Sequence, residues 1–167
     1  MLEKLALANV GPAPQMELEF GQRLNLLTGD NGLGKSFLLD IAWWALTRKW
    51  PAEVNNRLAA GLMARPIGPG SATIRFAFTA KSKKHEYVSE FDRKVQAWTG
   101  PPGRPPNPGL VLYAQVDGSF AVWDPARNYW RTRGNADVQE RPSAYVFAAR
   151  DVWNGLPPDG HPPLCNG

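Results

Sequence analysis

The sequence predicts an α/β fold: a strand, a phosphate loop and a helix form the core, and an antiparallel β insertion packs beside them. Three observations predict it. Gly29-Asp30-Asn31-Gly32-Leu33-Gly34-Lys35-Ser36 matches the spacing Gly-x-x-x-x-Gly-Lys-[Ser/Thr], which wraps phosphates. Arg23-Leu24-Asn25-Leu26-Leu27-Thr28 reads as a strand leading into it, and the residues from Lys35 onward read as a helix. Past residue 72 the pattern changes to the alternation of antiparallel strands.

Each element has its own signal. Leu2 to Val10 alternates at Leu5 and Leu7 and reads as a first strand, closed by the turn Gly11-Pro12-Ala13-Pro14. Met16 to Phe20 alternates as a half-exposed second strand. Residues 35–50 carry rows at Phe37, Ile41, Ala45 and at Leu38, Ala42, Leu46, one wide apolar helix face, and Pro51 ends the run. Trp43 and Trp44 at this spacing fit a core better than a base-stacking platform. A short helix is expected within Ala52–Leu62. The β insertion, about residues 72–124, begins with Ala72–Thr79, Glu86–Phe91 and Lys94–Trp98. It ends with a hairpin, Leu110–Val116 and Ser119–Trp123, whose Asp117-Gly118 suits a type I′ turn. Residues 99–109 read as a Pro- and Gly-rich surface loop. Tyr145–Phe147 reads as a short strand, Asp151–Trp153 as a helical turn, and residues 157–167 as a disordered tail. The main domain is therefore expected to span residues 1–156.

The loop chemistry follows from charge. A triphosphate needs donors that converge on one point. A tight strand-to-helix loop turns its backbone N–H groups inward, and the helix adds unpaired N–H groups and the positive end of its dipole. Lys35 supplies a mobile cation for the β- and γ-phosphates, and Ser36 supplies a hydroxyl to Mg²⁺. The nucleotide-contacting set is Gly29, Asp30, Asn31, Gly32, Leu33, Gly34, Lys35 and Ser36, with Phe37 next in the first turn. Asp30 is expected to face solvent, since an acid turned inward repels phosphate.

Composition narrows the class. At 167 residues, 43% hydrophobic and 20% charged, the chain suits one globular domain. Its single cysteine, Cys165, excludes an internal disulfide framework and fits a reducing cytoplasm. No apolar run reaches the ~20 residues of a membrane span. The net charge of +4, from 19 Lys and Arg against 15 Asp and Glu, permits polyanion binding without arguing for it. The basic run Lys81-Ser82-Lys83-Lys84-His85 suits a solvated hairpin tip better than a nucleic-acid contact. His85 and His161 have no partners at metal spacing.

The loop with Asn31 in place, Gly-x-Asn-Gly-x-Gly-Lys-Ser, reached only after two earlier strands, resembles the ATP-binding-cassette-like P-loop ATPases of the RecF and structural-maintenance-of-chromosomes type, within the broad AAA-like group. The resemblance covers residues 1–50 most closely and extends to about 150. It implies the first lobe of a two-lobed head. In that family ATP and Mg²⁺ sit on the loop, a second head caps the nucleotide with a Ser-Gly-Gly motif, and the assembly works on DNA. It also implies a Mg²⁺-binding glutamine at the end of a strand. Gln115 is the candidate, although it precedes a tight hairpin turn, and Gln139 fits no better.

The sequence departs from that family in two places. It has no Leu-Ser-Gly-Gly motif and no apolar run ending in Asp-Glu. Both would stabilise the developing γ-phosphate charge. The expectation is thus the nucleotide-binding part of a DNA-linked ATPase in repair, recombination or phage defence, inactive without segments supplied elsewhere. Two other readings stay open. One is a self-contained small NTPase or kinase, with Arg127, Arg131 and Arg133 as a phosphate clamp. The other is a non-catalytic nucleotide-binding assembly module.

Overall fold

A computed structural model of the chain describes residues 1–80, 83–100, 108–124 and 144–155. The chain divides into two compact units. One joins Met1–Leu46 with Ala64–Pro108; the other joins Thr47–Met63 with the chain from Gly109 onward.

The first unit holds strands β1 (Leu2–Ala8), β2 (Gln15–Glu19), β3 (Thr73–Ala80), β4 (Lys83–Asp92) and β5 (Ala97–Trp98), and helix α1 (Lys35–Thr47) apart from its last residue. The strands form one sheet in the order β2-β1-β3-β4-β5, every neighbour antiparallel. Register sorts the side chains. Leu5 lies opposite Leu18 and Phe76, and Leu7 opposite Met16 and Ile74, so these residues share a face. Leu5 and Ile74 are 0% exposed. Lys4, Ala6, Glu17 and Arg75 alternate onto the other face, where Lys4 Nζ lies 2.6 Å from Glu17 Oε1.

From the expected rows α1 buries Leu38, Ile41 and Ala45 and leaves Phe37, Ala42 and Leu46 half-buried. Trp44 meets Phe76 edge-on, with ring centroids 6.1 Å apart and planes at 76°. Trp43 and Trp44 are 2% and 4% exposed, as core residues should be. The helix ends at Thr47, sooner than expected, because Arg48 turns left-handed at φ 62°.

The expected strand Arg23–Thr28 does not form. No described segment pairs with it, and Leu24 and Leu26 are 86% and 81% exposed. Among the described residues its hydrogen bonds are local: Gly21 N donates to Asn25 Oδ1 (2.7 Å) and Asn25 Nδ2 donates to Gly21 O (3.1 Å). The expected strand Lys94–Trp98 shrinks to β5, because a turn at Asp92–Gln96 uses its first residues.

In the second unit α2 (Pro51–Val54) is the only part of the expected helix Ala52–Leu62 that forms. β6 (Val111–Ala114), β7 (Phe120–Trp123) and β8 (Ala144–Phe147) make a separate antiparallel sheet, and α3 (Ala149–Asn154) follows. The strands expected as one insertion therefore divide between two sheets. Asn55 Nδ2 donates to Val146 O (3.0 Å), and Arg57 Nη2 lies 3.0 Å from the buried Asp151 carboxylate. The β6–β7 turn differs from the expected type I′. Gly118 has φ 86° but Asp117 has no positive φ, so a type I turn is followed by a left-handed glycine.

Arg127, Arg131, Arg133, Gln139, Lys81, Ser82 and the tail 157–167 lie outside the described residues. Among the described residues no helix is long and apolar enough to cross a membrane.

Candidate functional site

The phosphate loop lies open to solvent at the start of α1, whose first helical bond runs from Leu38 N to Gly34 O (3.0 Å). Gly29, Gly32 and Gly34 take φ values of 138°, 87° and 83°. These values are open to glycine and costly for any residue with a Cβ. Nothing lies within 4 Å of the point a Gly32 Cβ would occupy, so the loop is open there.

Lys35 folds back over this loop. Its Nζ donates to Gly29 O and Asp30 O, both at 2.7 Å. Among the described residues this ammonium is held only by two neutral carbonyls, on an exposed loop, and is well placed to exchange them for anionic oxygens. Ser36 is exposed in the first turn, as are Asp30 and Asn31. The residues present therefore fit a polyphosphate with a hard cation beside it: an open loop, a mobile cation and a free-standing hydroxyl. Ser36 would hold the cation and Lys35 the phosphates.

One contributor was missing from the sequence reading. The β1–β2 turn leans on the loop. A Cβ at Gly34 would sit 2.8 Å from Pro12 Cγ, and a Cβ at Gly11 would sit 2.5 Å from Phe37 Cε1. The Phe37 ring therefore packs under the turn. Gly11 also has φ 89°, a value open to glycine and costly for any residue with a Cβ. The one local signal was Gly11-Pro12 itself, since the residue before a proline is normally confined to extended backbone.

Gln115, the candidate magnesium ligand, belongs to the second unit. It is 8% exposed, and its Oε1 shares the single Ser119 hydroxyl hydrogen (Oγ at 2.7 Å) with Asp117 Oδ1. Its backbone N–H donates to Ser119 O (2.9 Å). These bonds give it a structural task in the turn. Asp117 Oδ1 accepts from the Ser119 hydroxyl (2.6 Å) and amide (2.9 Å), which holds the Asp117 carboxyl below its ordinary range.

Comparison with known proteins identifies the family. Residues 4–124 match the model of a family described as AAA domain, well over half of the chain. The chain is also similar to the DNA replication and repair protein RecF of Cytophaga hutchinsonii, at 29% identity over 99 residues. That match covers 59% of this chain and 25% of RecF, so the chain spans about a quarter of this relative. The chain belongs to the AAA-domain family, as an N-terminal lobe of the RecF and structural-maintenance-of-chromosomes type of P-loop ATPase.

Proposed function

We propose that the chain binds ATP with Mg²⁺ through Gly29 to Phe37, as the nucleotide-binding lobe, residues 1–156, of an ATPase that acts on DNA in repair, recombination or phage defence. The observation that carries this is the open loop of positive-φ glycines closed only by the Lys35 ammonium on Gly29 O and Asp30 O. In this reading the loop amides and Lys35 take the phosphate oxygens, and Ser36 holds Mg²⁺, which neutralises phosphate charge when bound. Phe37 fixes the first helical turn against Gly11. The reducing cytoplasm suits a chain with one cysteine.

Hydrolysis needs groups that this sequence does not supply: an acid to orient water and a cap for the γ-phosphate. A second ATPase head and a further lobe would bring them, and DNA would bind the complete assembly. The exposed segment Arg23–Thr28 supports this. A run such as Leu24-Asn25-Leu26-Leu27 suits a strand buried on both faces of a parallel sheet. Covering Leu24 and Leu26 would stabilise the assembly by roughly 1.5–3 kcal/mol for each fully buried side chain.

Titration with a fluorescent ATP analogue and Mg²⁺ tests the reading. The chain binds weakly and releases no phosphate in steady state, and Lys35→Ala removes binding. Binding that survives Lys35→Ala ends the proposal for this loop. Steady phosphate release by the chain, lost on Lys35→Ala, ends the part that places catalysis elsewhere.

A further inference from the structure

The β1–β2 turn that leans on the phosphate loop is itself held from behind, and Asn9 holds it. Asn9 takes a left-handed backbone at φ 56°, which asparagine tolerates better than most residues. All its polar groups are engaged. Its N–H donates to Pro14 O (2.8 Å), and its carbonyl accepts from Ile67 N (3.1 Å). Its Oδ1 accepts from Gly68 N (3.0 Å). Its Nδ2 faces the carbonyls of Gly68 (3.2 Å), Pro69 (3.2 Å) and Ser71 (3.3 Å). Two hydrogens serve three acceptors, so one of these bonds is shared.

The loop that receives Asn9 is fixed in turn by Arg93. Arg93 Nη2 donates to Gly68 O (2.5 Å) and Gly70 O (2.9 Å), and Nε donates to Gly70 O (3.2 Å). Arg93 sits in the β4–β5 turn, where Asp92 Oδ1 accepts from the amides of Lys94 (2.7 Å) and Val95 (3.2 Å). A continuous series of contacts thus runs from Arg93 through Gly68 and Asn9 to Gly11 and Pro12, and ends on Phe37 and Gly34.

We infer that Asn9 is a positioning residue for the phosphate loop, with Arg93 behind it. This rests on the proposed nucleotide site. Gly11, Pro12, Ala13 and Pro14 have no polar side-chain atom, so the turn cannot anchor itself through its side chains. Asn9 ties it to the loop at 66–71. The tie keeps Pro12 against Gly34 and Gly11 against Phe37, which holds the loop amides on one point before any anion arrives. A loop that is already ordered loses less freedom on binding.

The test uses the full chain as wild type, Asn9→Gly and Arg93→Met. Asn9→Gly keeps the left-handed backbone and deletes only the side-chain bonds. Each protein is titrated with the fluorescent ATP analogue and Mg²⁺ well below its melting temperature, and the backbone NMR order parameters of residues 29–36 are measured without nucleotide. Asn9→Gly weakens binding roughly tenfold and Arg93→Met about threefold, the scale of one or two net hydrogen bonds. Both variants lower the order parameters in the loop. A role confined to stability would lower the melting temperature while affinity and loop order stayed at wild-type values in both variants; that result overturns the inference. A wild-type chain that binds no nucleotide removes the nucleotide reading instead, and the order parameters then decide alone whether Asn9 orders the loop.

Discussion

Leu2–Ala8 and Arg23–Thr28 are both short, leucine-rich segments that read as strands, and the protein treats them differently. β1 lies between β2 and β3, and its Leu5 is 0% exposed. Arg23–Thr28 has no strand partner among the described residues, and its Leu24 is 86% exposed. Side-chain character qualifies a segment to be a strand; a ladder on at least one side makes it one. The two segments therefore contrast a strand whose partners lie among the described residues with a segment that has none there.

Removing side chains from each gives the largest contrast. Leu5→Ala opens a cavity in a packed face and costs about 2–5 kcal/mol. Leu26→Ser removes apolar surface from water and changes stability by less than about 0.5 kcal/mol. Thermal or urea unfolding of the two variants measures this. A Leu26→Ser variant as damaged as Leu5→Ala would mean that the segment is already buried in solution, and the comparison would break.

Hydrogen exchange sharpens the same contrast without mutation. The amides of Leu5 and Leu7 exchange only when β1 leaves the sheet, whereas those of Leu24, Leu26 and Leu27 exchange close to the unprotected rate. Protection at 24–27 that grows with protein concentration would reveal a second copy supplying the missing ladder.

The same division explains what the sequence could disclose. β1 to β4, the start of α1 and the turn glycines at 29–34 were legible because their signals are local: alternation, 3.6-residue periodicity and glycine spacing. The larger failures are non-local. Whether Arg23–Thr28 pairs depends on a partner, which no window around Leu24 contains. That β3–β5 would join β1 and β2 while β6–β8 formed another sheet depends on which strands meet. Gln115 was marked because the family resemblance implies a glutamine at a strand end; its side chain lies against the Ser119 hydroxyl, four residues on, which gives it a turn to stabilise. Pro12 and Asn9 were missed at the site because their work is done on Gly34, and on Gly68 to Ser71, far along the chain.

The smallest expected effect belongs to a group whose partner sits two residues away. Asp117 accepts two hydrogen bonds from Ser119, and these hold its carboxyl below the ordinary range of about 3.9. A carboxyl whose folded value is depressed adds stability above its unfolded pKa and loses it as pH falls through the folded value. The hairpin should therefore hold at neutral pH and weaken only in acid, beginning below about pH 4. Ser119→Ala removes the hydroxyl donor, so the Asp117 midpoint in an NMR titration rises toward the ordinary value while the Ser119 amide bond persists through the alanine backbone. Partial recovery is the outcome that fits two donors; a midpoint that does not move would show that the hydroxyl bond is replaced by water in solution. Because this turn closes on residues 115–119 alone, its titration should be blind to whatever completes Arg23–Thr28. An Asp117 midpoint that shifted when that segment gained a partner would tie together two parts that the comparison holds apart.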